Sequence, residues 1–274
     1  MDFAQGALIG AIAGAHIATW GMYKDAPHEG FTWPKYFRGI VLGGSIGALA
    51  APLSGLALTR ADHIVVFFGA VYGLERAAEE FYKTFLREED QRKYYIPMQL
   101  HVRGRVVRSR GARWGAAAAY LAGVLLITAG VAALEGAGAA VPDLATVAIA
   151  GSAGGWISAV GGAWKDGPIE GFEWPKFFRS PLISFAYALL IAHFTAEPLL
   201  ILLGALGYTV ATIETYKTFF FPNKPRGKFA GKPVLYPEML RRRQRFVPLY
   251  IAIWAAVLVC MGIALAGESR GLLG

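Results

Sequence analysis

Eight apolar runs of about membrane-crossing length, separated by clusters of charge, constrain this chain more than any other feature. They lie near residues 4–22, 39–59, 62–82, 114–134, 144–164, 181–196, 198–219 and 247–267. A helix needs about 20 residues to cross the ~30 Å hydrocarbon core, and there every backbone N–H and C=O has to be satisfied within the protein. The runs are therefore expected to be transmembrane helices. A mean hydropathy of +0.42 with 55% hydrophobic residues agrees, being too apolar for a soluble domain of 274 residues. The sixth run is short: as helix, residues 181–196 reach only about 24 Å. Either the aromatic stretch before it, residues 172–178, completes the span, or the span is broken.

Charge sets the direction of crossing. If the loops after the first, third, fifth and seventh runs share a face, every one of the 27 Lys and Arg except Arg60 and Arg270 lies on it. The opposite face holds those two bases and the acids Asp2, Asp62, Glu135, Asp143, Glu197 and Glu268. Such a bias marks the basic face as cytoplasmic and puts both termini outside. The net charge of +8 is then a topology signal. A nucleic-acid partner is excluded, because the bases alternate with membrane-length runs. The lipid bilayer is the expected partner, with anionic lipids on the cytoplasmic face meeting basic loops such as Arg241-Arg242-Arg243. Cys260 is the single cysteine, which excludes a disulfide or a cysteine-based metal site within one chain. The first basic residue, Lys24, follows the first apolar run, so no cleavable signal peptide is expected.

The chain also repeats itself. Residues 24–38, KDAPHEGFTWPKYFR, return as residues 165–179, KDGPIEGFEWPKFFR, with 11 of 15 positions identical. A second pair follows: Glu80-Phe81-Tyr82-Lys83-Thr84-Phe85 matches Glu214-Thr215-Tyr216-Lys217-Thr218-Phe219. An even number of spans per copy sends both copies into the membrane in the same direction. The expected fold is an all-α integral membrane protein of eight transmembrane helices, a parallel tandem repeat of two four-helix units. Residues 1–134 form the first unit, 135–143 an outer linker and 144–274 the second. Gly6, Gly10 and Gly14 in the first run, like Gly151 and Gly155 in the fifth, recur at intervals of four, a spacing that lets helix backbones approach closely. These two runs are expected to meet at the centre of the molecule.

Candidate site residues come from the repeated charges. Pro27 and Pro168 disfavour continuing the first helix of each copy, Gly30 and Gly171 permit a turn, and Trp-Pro suits a helix start. This reads as a helix–turn–helix connection with interfacial aromatics. The same motif places Asp25/Glu29 and Asp166/Glu170 four residues apart, ahead of Lys35/Arg38 and Lys176/Arg179. Paired carboxylates could hold a hard cation while the bases, with Lys83 and Lys217, meet lipid phosphate. The pattern specifies no metal set. Glu80–Lys83 and Glu214–Lys217 have the spacing of ion pairs on one helix, and a structural ion-pair staple linking them to the motif is the competing reading. Asp25 and Glu29 are expected near Lys83, and Asp166 and Glu170 near Lys217. The third run alone adds Glu75, Arg76 and Glu79, where the seventh has Thr209, Val210 and Ile213. Charges at that depth face protein, water or each other, unless the helix surfaces early and they are wet. Glu75 beside Glu79 would favour a proton or cation between them. His16 reads as a core histidine.

Three functions fit. The leading one is a transporter or channel for a small ion or solute, with a pathway between the repeats lined by Glu75, Glu79, Glu80 and Glu214. The second is an enzyme, flippase or binding protein for a phosphate-bearing lipid at the cytoplasmic interface. The third is a non-catalytic subunit that packs in a homo-oligomer or a larger membrane complex. No nucleotide, nucleophile or metalloprotease motif is present, so a non-enzymatic role is favoured and no cofactor is expected.

Overall fold

The structure is a computed structural model that describes residues 2–137, 140–225 and 227–273. It is helical almost throughout: α1 (Asp2–Glu29), α2 (Trp33–Ala50), α3 (Ala61–Phe81), α4 (Arg110–Ala137), α5 (Asp143–Glu170), α6 (Trp174–Ile191), α7 (Pro198–Phe219), a short α8 (Glu238–Arg242) and α9 (Val247–Leu265). Among the described residues, strand is confined to a hairpin of His101–Val102 with Arg105–Val106. Its turn residues Arg103 and Gly104 both take positive φ, 49° and 77°, which matches the twist of a two-residue hairpin.

By length and composition, five stretches can cross a membrane: Trp33–Leu53, Arg110–Gly136, Asp143–Pro168, Pro198–Phe219 and Glu238–Leu265. The chain is thus compatible with an all-α membrane protein. Polar content keeps the other three long helices below that measure: α3 carries Asp62, Glu75, Arg76, Glu79 and Glu80, α6 carries Lys176 and Arg179, and α1 is diluted by glycine, Gln5 and His16. Leu126 on α4 and Ile251, Leu258, Val259 and Ile263 on α9 are more than half exposed. Aliphatic surface of this extent is unfavourable in water and suits contact with lipid.

The most buried pair of helices is α3 and α7. Val65, Val66 and Tyr72 are sealed in one core with Ile201, Leu202, Ala205 and Tyr208. Glycine makes the approach possible: a Cβ on Gly207 would collide with the Gly69 carbonyl, and one on Gly73 would come within 2.9 Å of the Leu203 carbonyl. Tyr208 Oη crosses the seam to donate to the Val65 carbonyl at 2.8 Å.

The expected central contact of Gly10 and Gly14 with Gly151 and Gly155 is not what the glycines do. Gly6, Gly10 and Gly14 of α1 face Gly47, Gly43 and Gly39 of α2, while Gly151 faces Ala188 and Gly155 faces Pro181 and Ser184 of α6. The seams lie inside the α1–α2 and α5–α6 hairpins. The short turn makes α1 and α2 antiparallel neighbours, and α2 supplies its own small residues at intervals of four. Ser184 Oγ adds a hydrogen bond to the Gly151 carbonyl at 2.6 Å.

Pro27 and Pro168, expected to stop their helices, instead sit in the last turns of α1 and α5. A proline costs a helix the N–H owed to the carbonyl four residues back. For Pro27 that carbonyl belongs to Tyr23, and Arg243 Nη1 donates to it at 3.0 Å. The helices end two or three residues later, at Gly30 and Gly171, whose φ values of 79° and 87° are glycine conformations. Helices α2 and α6 then begin at Trp-Pro as expected. Helix α2 therefore starts six residues before its expected span and ends at Ala50, where Pro52 lies in a closing 3₁₀ turn. The aromatic stretch before the sixth run joins it in one helix: α6 runs from Trp174 through Pro181 to Ile191 without a break. Of the expected linker, 135–137 are helical and residues 138 and 139 lie outside the described residues.

Candidate functional site

Helices α1, α2 and α3 border a half-open, mainly apolar cavity of about 100 Å³ beside the first motif turn, with charged side chains on its lining. Asp25 of α1, Lys35 and Arg38 of α2, and Glu75, Arg76 and Glu79 of α3 line it, with Lys83 on the π-helical turn Tyr82–Leu86 that extends α3. Its apolar wall includes Ile17, Trp20, Phe31 and Tyr36. Space alone at this volume is worth about three waters.

The bases around the cavity each have a carboxylate. Glu79 Oε1 accepts from Arg38 Nη2 at 2.6 Å and lies 2.9 Å from Lys83 Nζ. Arg76 pairs with Glu80, and Lys35 lies 3.6 Å from Glu29. Glu75 is different. It is 1% exposed, and its Oε2 is a buried oxygen with no hydrogen-bond partner among the described residues. Asp25 Oδ1 shares that condition. An unmet buried carboxylate oxygen is expensive, so its persistence marks a place where something else belongs. Gly39 gives the Glu75 side chain its room: a Cβ there would lie 3.7 Å from Glu75 Oε1.

The other candidates are tied elsewhere. Asp25 and Glu29 do not take Lys83 as their ion-pair partner. Lys228, from the segment after α7, reaches Glu29 Oε1 at 2.9 Å and Asp25 Oδ2 at 3.4 Å. Burial acts against the Lys228 charge, but the two carboxylates outweigh it and hold the ammonium above the ordinary lysine range. Phe229 beside it stacks on His28, with ring centroids 4.2 Å apart. Glu80 and Glu214 are not in the lining of the cavity that holds Glu75. Lys24 Nζ reaches Glu214 Oε2 at 2.7 Å, and Lys165 Nζ reaches Glu80 Oε2 at 3.1 Å. The opening lysine of each motif copy thus closes on the third-helix glutamate of the other copy. Lys217 adds a 3.4 Å contact to Glu214, and Glu170 pairs with Lys176 at 2.7 Å. Asp166 and Arg179 lie on α5 and α6, away from the cavity lining.

Glu75 and Glu79 do not share a hydrogen bond; Glu79 is committed to its two bases. One turn deeper, Tyr72 Oη accepts from Trp20 Nε1 at 2.9 Å and lies 3.0 Å from His16 Nδ1. The His16 ring stacks on Tyr250 of α9 at 4.1 Å, and its Nε2 has no hydrogen-bond partner among the described residues. Sequence reasoning missed Lys228, Arg243 and Gly39. Nothing in local spacing connects a loop lysine to acids about 200 residues earlier, whereas Gly39 was legible as part of a 39–43–47 glycine series.

No protein-family model matches this chain, and no curated protein or solved structure matches it.

Proposed function

We propose that this chain is an eight-span membrane protein of two parallel four-helix units, with cytoplasmic basic loops and outer termini, that moves a small cation or cationic solute by way of the α1–α2–α3 cavity. The matched helix lengths support the repeat: α1 and α5 have 28 residues each, and α2 and α6 have 18 each. The identical glycine turns and the reciprocal Lys24–Glu214 and Lys165–Glu80 pairs support it further. The bias of Lys and Arg supports the orientation.

One observation carries the transport reading: Glu75, a carboxylate at membrane depth, lies in the lining of a cavity and has a buried oxygen without a hydrogen-bond partner among the described residues. The pathway is assigned to the first unit and not to the seam between units, because the α3–α7 contact is closed by glycine packing and Tyr208. The test is flux. In liposomes, wild-type protein moves a monovalent cation, a proton or a small organic cation, and Glu75→Gln abolishes this while the protein stays folded. No flux from the wild type across an ion panel sinks the reading. Binding of a phosphate-bearing lipid is the second reading, favoured by the turn residues Phe31 and Thr32 and the base Lys35 in the cavity lining. Loss of lipid binding on neutralising Lys35 and Arg38, without any flux, would select it.

A further inference from the structure

Resting on that reading of the cavity, we infer that the cavity binds a short primary ammonium, of about the size of ethanolamine, through Glu75 and Asp25. The unmet atoms at the cavity are acceptors: Glu75 Oε2 and Asp25 Oδ1 lack partners, while all four lining bases have a carboxylate within 4.0 Å. What is missing among the described residues is therefore a hydrogen-bond donor, and two carboxylates favour one that carries positive charge. A hard metal ion is a poor fit. Calcium asks for six to eight oxygens and magnesium for a near-ideal octahedron. Among the described residues, no group of three His, Cys, Asp or Glu could hold a metal. An ammonium has three N–H donors on one small centre, which two carboxylates can share. Trp20, Tyr36 and Phe31 are also in the lining and give the carbon end an apolar surface. About 100 Å³ accommodates a handful of non-hydrogen atoms, which sets the size of the ligand. The second copy has Thr209 where Glu75 stands and Ser180 where Gly39 leaves room, so the site belongs to the first copy.

The same headgroup chemistry exists as a free amine and at the end of an aminophospholipid, and the test separates them. Full-length protein in detergent is titrated with ethanolamine, following tryptophan fluorescence and isothermal calorimetry. Saturable binding is expected, with methylammonium competing and tetramethylammonium, which has no N–H, failing to compete. Glu75→Gln is expected to weaken binding by at least ~10-fold, as loss of a charge-assisted hydrogen bond does. Glu268→Gln, the same change at an 89% exposed side chain, leaves it unchanged. Should Glu75→Gln not fold, Asp25→Asn serves: it keeps the side-chain size, removes the charge of the second carboxylate in the lining and should weaken binding several-fold. In nanodiscs, phosphatidylethanolamine lowering the apparent ethanolamine affinity relative to phosphatidylcholine identifies the lipid as the source; equal affinities identify the free amine. No saturable ethanolamine binding, or tetramethylammonium competing equally, overturns the inference even where cation flux is found. Amine binding without flux upholds it and removes only the transport step.

Discussion

Arg243 and Pro27 form a pair whose coupling can be worked out before it is measured. Arg243 is 6% exposed, and its guanidinium donates to the Tyr23 carbonyl at 3.0 Å and the Pro222 carbonyl at 2.9 Å, 4.2 Å above the Tyr23 ring. Replacing it with Met keeps much of the packing and removes the donors. Hydrogen bonds from a charged group are worth about 1.5–3 kcal/mol each, and relief from burying the charge returns part of that. Arg243→Met should therefore cost roughly 2–3 kcal/mol. Much of the loss comes from the Tyr23 carbonyl, which has no helical donor because residue 27 is proline. Pro27→Ala supplies an N–H at that position. In the Pro27→Ala background, Arg243→Met should cost about 1–2 kcal/mol less, the penalty of an unsatisfied carbonyl. The assay is equilibrium unfolding in mixed micelles, titrated with SDS, for the four members of the double-mutant cycle. Additive effects, within about 0.5 kcal/mol, would refute the account of how α1 carries a proline in its last turn.

Lys24→Glu or Glu214→Lys alone should destabilise the protein by placing like charges face to face, and the double exchange should recover most of the loss in the same unfolding assay. Gly207→Leu should prevent folded protein from accumulating, read by size-exclusion recovery, because its side chain has to enter the Gly69–Gly73 backbone. Gly171→Ala, at φ 87°, should cost about 1–2 kcal/mol of stability from backbone strain alone, and an unchanged unfolding midpoint would show that the turn relaxes. Cysteines placed singly at positions 30 and 171 should label from the same side of the membrane; labelling from opposite sides would break the parallel arrangement.

The helices were largely legible because their signals are local. The third, seventh and ninth helices begin or end within about two residues of the expected runs, where charge or proline sets a sharp limit. Gly30, Gly171 and the Trp-Pro starts needed only turn chemistry. What failed was pairing between elements. Small residues at intervals of four say that a helix has a close neighbour, not which one, so the α1–α2 seam passed for a central one. The effect of Pro27 was misjudged because its remedy, Arg243, lies 216 positions away and nothing in the local sequence announces it. At the site, Glu75 stood out as a charge without a counterpart in the second copy, whereas its surroundings depend on how α1, α2 and α3 converge. Lys83 lies on the same cavity lining as Asp25, but the direct ion pair to Asp25 comes from Lys228, because the segment after α7 returns across the end of α1.

Lys24 closing on Glu214 and Lys165 on Glu80 means that each copy of the motif is finished by the other half of the chain. A contact made twice in reciprocal form is what two identical subunits would make across a dyad. Two separate identical chains would have to keep both ends of that contact, and every residue around it, the same. Within one chain the clasp can be retained while its surroundings drift apart, and the drift is visible: one side carries Glu75, Arg76, Glu79 and a glycine at 39, and the other has Thr209, Val210, Ile213 and Ser180. In the proposed two-unit arrangement, joining the copies would leave the fastening symmetric and free a single pocket to specialise.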